Sequence, residues 1–226
     1  MTVAVLFVTS ATAKVVETKV VHFPGSGRVI VQSREVVGKF PEMVFISERS
    51  GKVLLRTLIM DKDGFYLGPQ NIDPPPDLRF GVIYSDRKTA PVIMSVALFH
   101  GGSDDAFFLT VFGEIAGRIV RLNADSIFAN IQGGFFFGRL NKELGFGLAT
   151  WNFVWDMPAE SHYEAHRYEM NIYRIRRGRL VKILRRVSIR KYEGPKSCRS
   201  LREIGIRATD QRRLIPKIRN DLDVSD

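Results

Sequence analysis

Apolar and polar residues alternate along this chain in short runs, and one local pattern recurs four times. A strand-like run is followed by a short turn, a glycine, a basic residue and an aliphatic pair. The four instances are Gly27-Arg28-Val29-Ile30, Gly51-Lys52-Val53-Leu54, Gly117-Arg118-Ile119-Val120 and Gly178-Arg179-Leu180-Val181. The runs before them are VVHF, MVFIS, FFLTVFGE and YEMNIYRI. Glycine supplies the positive φ that a tight hairpin requires, and the aliphatic pair opens the return strand. Four hairpins built alike predict antiparallel β structure.

Gly51 and Gly117 are 66 residues apart, and Gly117 and Gly178 are 61. With the further strand-like runs LRFGVIYS, PVIMSVALF, DSIFANI and FGLATWNFVW, this spacing divides the chain into three four-stranded units. They span roughly Lys14–Met60, Leu78–Asp125 and Ser126–Arg190. The segment GPQNIDPPPD separates the first two, because consecutive prolines stop a strand ladder. Repeated four-stranded units are the sequence form of a propeller, although three blades are few for a closed ring. The expected fold is therefore all-β, made of antiparallel four-stranded units in a propeller-like or a sandwich-like packing. A short C-terminal helix is added, since Leu201 and Ile204 stand at helical spacing behind Ser197.

Three segments follow from this reading. Residues 14–190 form the all-β domain, and residues 191–226 form a basic extension carrying the short helix. Residues 1–13 are either the remnant of a signal peptide or a first strand. Ala11-Thr12-Ala13 matches a small-x-small cleavage pattern, which favours export to the periplasm or beyond; the missing positive n-region keeps a cytoplasmic chain as the alternative. No apolar run reaches the roughly 18 residues of a transmembrane helix.

Composition narrows the chemistry. The one cysteine, Cys198, permits neither an internal disulfide nor a cysteine-based metal site. No P-loop and no G-x-S-x-G elbow is present. His100 to Asp105, HGGSDD, reads as a glycine turn, and Asp61-x-Asp63-Gly64 as an Asp-Gly turn with too few oxygen ligands for calcium. The net charge of +10 is concentrated: between Ile172 and Arg219 there are 17 Lys+Arg against 3 Asp+Glu. Arg174, Arg176, Arg177, Arg179, Arg185 and Arg186 are the anion-binding candidates of this quarter. Such a face can hold phosphate, a nucleic-acid backbone or an anionic membrane surface, and the partner expected is a protein or an anionic polymer. Tyr173 and Tyr192 are its only aromatics, which argues against single-stranded nucleic acid, whose bases need stacking platforms.

The stretch GGFFFGRLNKELGFGLATWNFVW, continued by HRYEMNIYRIRRGRLV, carries Gly133, Gly134, Gly138, Asn141, Gly145, Gly147 and Tyr173-Arg174. With these residues the segment 133–181 resembles a blade of the FG-GAP or VCBS-type β-propellers, in which a glycine-rich loop precedes an apolar strand. The resemblance implies a propeller blade over about 50 of the 226 residues. It does not extend to the calcium-binding aspartates of such blades, because Arg139 and Lys142 stand in that loop here.

The densest cluster of chemical groups is ESHYEAHRYE, Glu160 to Glu169. If the strand of Tyr168 and Met170 began this early, His162, Glu164 and His166 would fall on one face at i, i+2 and i+4. Two imidazoles and a carboxylate could then hold a divalent metal such as Zn²⁺. The preceding strand sets Trp151, Phe153 and Trp155 on one face, so the six residues together form a candidate ligand site. The same pattern is also that of a polar hairpin tip beside a buried strand face. Three functions follow: a non-enzymatic, exported binding or interaction module; a metal-dependent hydrolase at His162, Glu164 and His166; and a nucleic-acid-associated protein using the basic quarter.

Overall fold

A computed structural model describes residues 13–36, 40–59, 77–84, 90–99, 106–130, 133–140, 142–156, 161 and 164–192. These residues form thirteen strands: β1 (Ala13–Phe23), β2 (Gly27–Val36), β3 (Glu42–Ser47), β4 (Val53–Leu58), β5 (Asp77–Ile83), β6 (Val92–Phe99), β7 (Ala106–Ile115), β8 (Arg118–Arg121), β9 (Ile127–Asn130), β10 (Gly134–Arg139), β11 (Phe146–Val154), β12 (Arg167–Arg176) and β13 (Arg179–Val187). They make three antiparallel meanders in chain order, β1-β2-β3-β4, β5-β6-β7-β8 and β10-β11-β12-β13. The all-β, four-stranded expectation holds. Residues 1–12, most of the segment expected as a signal-peptide remnant or a first strand, and the helix expected around Leu201 lie outside the described residues.

The four recurrent glycines do what their pattern requires. Gly27, Gly51, Gly117 and Gly178 have φ of 72°, 67°, 73° and 74°. At two of the turns the residue before the glycine is also left-handed: Ala116 and Arg177 both have φ 49°. Ile115 pairs with Arg118 and Arg176 with Arg179, so each is a two-residue hairpin with both central residues at positive φ.

The three sheets stack as layers, and none closes into a propeller. In β6, Ile93 and Ala97 face the first sheet, packing with Phe23, Val31 and Phe45. Met94, Val96 and Leu98 point the other way, onto Phe135, Phe137 and Leu148 of the third sheet. The middle sheet is thus apolar on both sides. Side chains also clip the layers together. Lys19 Nζ donates to the Phe80 carbonyl at 2.8 Å, Glu17 accepts from Phe80 N at 3.2 Å, and Ser126 Oγ donates to the Ile59 carbonyl at 2.9 Å.

Two strand assignments differ from the sequence reading. The run DSIFANI does not open the third sheet. As β9 it pairs with β7 alongside β8, which makes the middle sheet five-stranded. Asn123 holds this break in the edge: its Oδ1 accepts from Val111 N at 2.7 Å, and its Nδ2 donates to the carbonyls of Leu109 and Asp125 at 3.2 and 2.7 Å. The third sheet opens instead with β10, GFFFGR, expected as a glycine-rich loop. Its glycines are recesses within a strand. A methyl group at Gly134 would stand 2.5 Å from Cζ2 of Trp151, and one at Gly138 would stand 2.7 Å from Cζ of Phe136. Large rings lying over glycines let the outer face of this sheet pack closely.

Gly134→Ala should destabilise the chain by about 1–3 kcal/mol through overpacking, read by urea unfolding followed on tryptophan fluorescence. An unchanged midpoint would contradict the seating of Trp151 over Gly134.

Candidate functional site

Residues 155 to 166 connect β11 to β12 and contain the cluster singled out from the sequence. Trp151 and Phe153 are buried in β11, whereas Trp155, one residue past the strand, is 45% exposed. His166 is buried just before β12 begins. Its ring lies 4.9 Å from Phe153 and 5.3 Å from Trp155, and those two rings are 5.0 Å apart, edge to face. Three of the six candidate residues, Phe153, Trp155 and His166, thus stand in contact.

Glu164 and His166, two of the three metal-ligand candidates, differ in setting. Glu164 N donates to the Ser161 carbonyl at 3.1 Å, so the chain turns there instead of running extended. Glu164 is exposed and His166 is buried. His162 lies outside the described residues. His166 Nε2 stands 2.9 Å from the Ser161 carbonyl, and since a carbonyl only accepts, Nε2 carries the proton. The backbone of His166 exchanges two hydrogen bonds with Tyr192, at 3.0 and 2.8 Å. Among the described residues no group of three or more His, Cys, Asp or Glu side chains is placed to hold a metal ion. Cys198, the HGGSDD turn and the Asp61–Gly64 turn fall outside the described residues.

Sequence reasoning missed the charged residues that close this hairpin. Arg167 Nε lies 2.9 Å from both carboxylate oxygens of Asp156, its Nη2 adds a further bond to Oδ1, and Lys191 Nζ stands 3.9 Å from Oδ2. Bonding to Arg167 holds the Asp156 carboxyl below its usual range; partial burial opposes this, while the charges of Arg167, Lys191 and His166 add to it. The pairing of Val154 with Arg167 predicts the contact once the register is known, but neither residue type announces it.

The six candidate arginines are divided by strand register. Arg176 is opposite Arg179, Arg174 opposite Val181, and Arg186 opposite Met170, so these four share the face of Met170 and Ile172. Arg174 lies over Gly147 and reaches the turn at Gly145, positions where a larger residue would displace it. Arg185 is on the other face and bonds Glu169 at 2.6 Å. That contact lowers the Glu169 carboxyl, against the effect of burial, and raises the Arg185 guanidinium. Arg177 occupies the hairpin turn itself. Strand alternation puts the adjacent Arg185 and Arg186 on opposite faces, and the register shift between Ile172 and Tyr173, not visible in the sequence, decides that Arg186 joins Arg174, Arg176 and Arg179.

Between the second and third sheets, at the end where β7 meets β8, lies a cavity of about 340 Å³. Pro91, Val92, Leu122, Phe137 and Phe146 line it together with the partly exposed Ile115 and Ile175. Among the described residues no helix is long and apolar enough to cross a membrane. Comparison of the chain with protein-family models, with curated proteins and with solved structures finds no match in any of the three.

Asp156 has a lowered pKa when folded, so its contribution to stability is present above the ordinary carboxylate value of about 3.9 and is lost as pH falls through the folded value. Asp156→Asn should therefore melt below the parent at neutral pH and converge on it in acid. A constant difference down to the acid limit would contradict the ion pair.

Proposed function

We propose that this chain is a non-enzymatic binding module that holds an anionic partner on its third sheet. The observation that supports the reading most directly is the turn between β12 and β13. Arg176 and Arg179 face each other across the ladder, and like charges directly opposite are destabilising. Arg177 sits between them at φ 49°, in a two-residue turn where asparagine or glycine would fold at lower cost. Three guanidiniums at one turn thus break two local rules of hairpin stability, and such breaks mark functional positions. An anionic partner relieves the repulsion and gives the arrangement a use. The edge strand β13 continues the same chemistry through Lys182 and Arg186, both exposed.

Arg177→Asn should raise stability by about 0.5–1 kcal/mol, because asparagine tolerates the left-handed region, while lowering the salt concentration that elutes the chain from heparin. Arg176→Gln and Arg179→Gln should lower elution similarly, and all of the retention should weaken steeply with salt. A parent chain that is not retained at low salt, or an Arg177→Asn chain that elutes with the parent, would overturn the reading.

A further inference from the structure

The recurrent glycine–basic pattern acquires a second meaning once the sheets are stacked. Arg28, Lys52, Arg118 and Arg179 each follow a positive-φ glycine, and each is exposed. All four stand at one end of the molecule. Within the first sheet, Glu48 N donates to the Arg28 carbonyl at 3.0 Å, which sets the β3–β4 turn beside the β1–β2 turn. Between the first and second sheets, a methyl at Gly25 would stand 2.8 Å from Gly117 Cα, and Ser26 Oγ donates to the Gly117 carbonyl at 3.2 Å. The Glu114 carboxylate accepts from Gly25 N at 2.8 Å and from both the backbone and the hydroxyl of Ser26. Between the second and third sheets, a methyl at Gly178 would stand 3.0 Å from Cδ1 of Ile115. The hairpin tips of three sheets therefore meet, and each delivers its cation to the same end, beside Arg176 and Arg177; Arg28 there donates to Glu48 at 3.0 Å, which leaves Lys52, Arg118 and Arg179 as the main source of positive charge.

Exposed apolar side chains lie among these cations. Val53 follows Lys52 and is 50% exposed, Ile115 precedes the Ala116-Gly117 turn and is 40% exposed, and Ile175 precedes Arg176 and is 37% exposed. Tyr84, at the end of β5 and on the same side, is 56% exposed. Aliphatic groups have no partner on a phosphodiester or sulfated chain. They do have one at the boundary between headgroups and acyl chains, where tyrosine also sits well.

We infer that this end of the three-sheet stack docks on an anionic bilayer surface, its lysine and arginines meeting the headgroups and its exposed aliphatic residues entering the interface. The inference rests on the anionic-partner reading above and extends it in two ways. The surface is built by all three sheets, not by the β12–β13 hairpin alone, and the partner is a lipid surface, not a nucleic acid.

The test is sedimentation of the full chain with phosphatidylcholine vesicles, with and without phosphatidylserine, at low and high salt, beside retention on heparin. Binding should require phosphatidylserine and weaken with salt. Lys52→Gln and Arg118→Gln, both outside the third sheet, should each lower it about fivefold. Ile115→Ser should lower vesicle binding several-fold without changing heparin retention, and Val53→Ser should do the same at a site away from the hairpin contact. Melting curves confirm that each variant is folded. Retention on heparin or duplex DNA without vesicle binding would overturn the lipid inference and leave the anionic-partner reading standing. Vesicle binding that Lys52→Gln and Arg118→Gln leave unchanged would overturn the three-sheet surface. Retention on neither matrix would remove both.

Discussion

Burial of both faces of the second sheet is the constraint from which the rest of the architecture follows. A sheet with one apolar face needs a single cover, but β6 and β7 send large side chains in both directions, so two further sheets must pack against them. Phe112, for instance, turns to Phe45 of the first sheet at 5.1 Å between ring centres, while Phe107 turns to Phe135 of the third at 5.7 Å. Apolar burial contributes about 25 cal/mol per Å², so the doubly covered sheet holds the largest share of the stabilising area. Ser95 Oγ, buried within it, donates to the Thr110 carbonyl at 3.3 Å.

Stacking fixes the two ends of the molecule. Each sheet is an antiparallel meander, so its odd-numbered hairpins all turn at one end, and packing the layers brings those turns together. Glu114 then serves as an acceptor for the first sheet's turn, and Gly25 allows the close approach to Gly117. The opposite end of the third sheet carries the Phe153, Trp155 and His166 grouping, tied by the Asp156–Arg167 pair. One end is thus cationic with aliphatic residues interspersed, and the other holds aromatic rings with an internally matched charge pair. The division of roles between the ends comes from topology, not from any single motif.

Much of the fold is readable from the chain, because its hairpins are encoded locally. A glycine at positive φ with an aliphatic pair behind it is a short-range signal, and all four instances fold as turns. The misread parts depend on distant partners. Gly134 and Gly138 mark a loop in isolation, and become strand positions by pairing with Trp151 and Gly147 of β11. The pairing of β9 with β7 is held by the side chain of Asn123 bridging to Val111 and Leu109, a contact no periodicity reports. At the candidate site, the proximity of Phe153, Trp155 and His166 was accessible from alternation and hairpin geometry. The bond from Glu164 N to the Ser161 carbonyl, which leaves Glu164 exposed while His166 is buried, was not accessible from residue types. The six arginines were visible as a group, but which of Arg185 and Arg186 shares a face with Arg174, Arg176 and Arg179 depends on a register shift at Tyr173.

Native-state hydrogen exchange of the full chain tests the central role of the doubly buried sheet most directly, because amides in the most stable unit exchange only through global unfolding. The expected result is that amides of Val92–Phe99 and Ala106–Ile115 exchange slowest, with opening free energies equal to that of global unfolding, while those of the edge strands Val53–Leu58 and Arg179–Val187 exchange through local opening. Amides of β6 and β7 that exchange as fast as those of β1 or β13 would contradict a stack organised on its middle sheet.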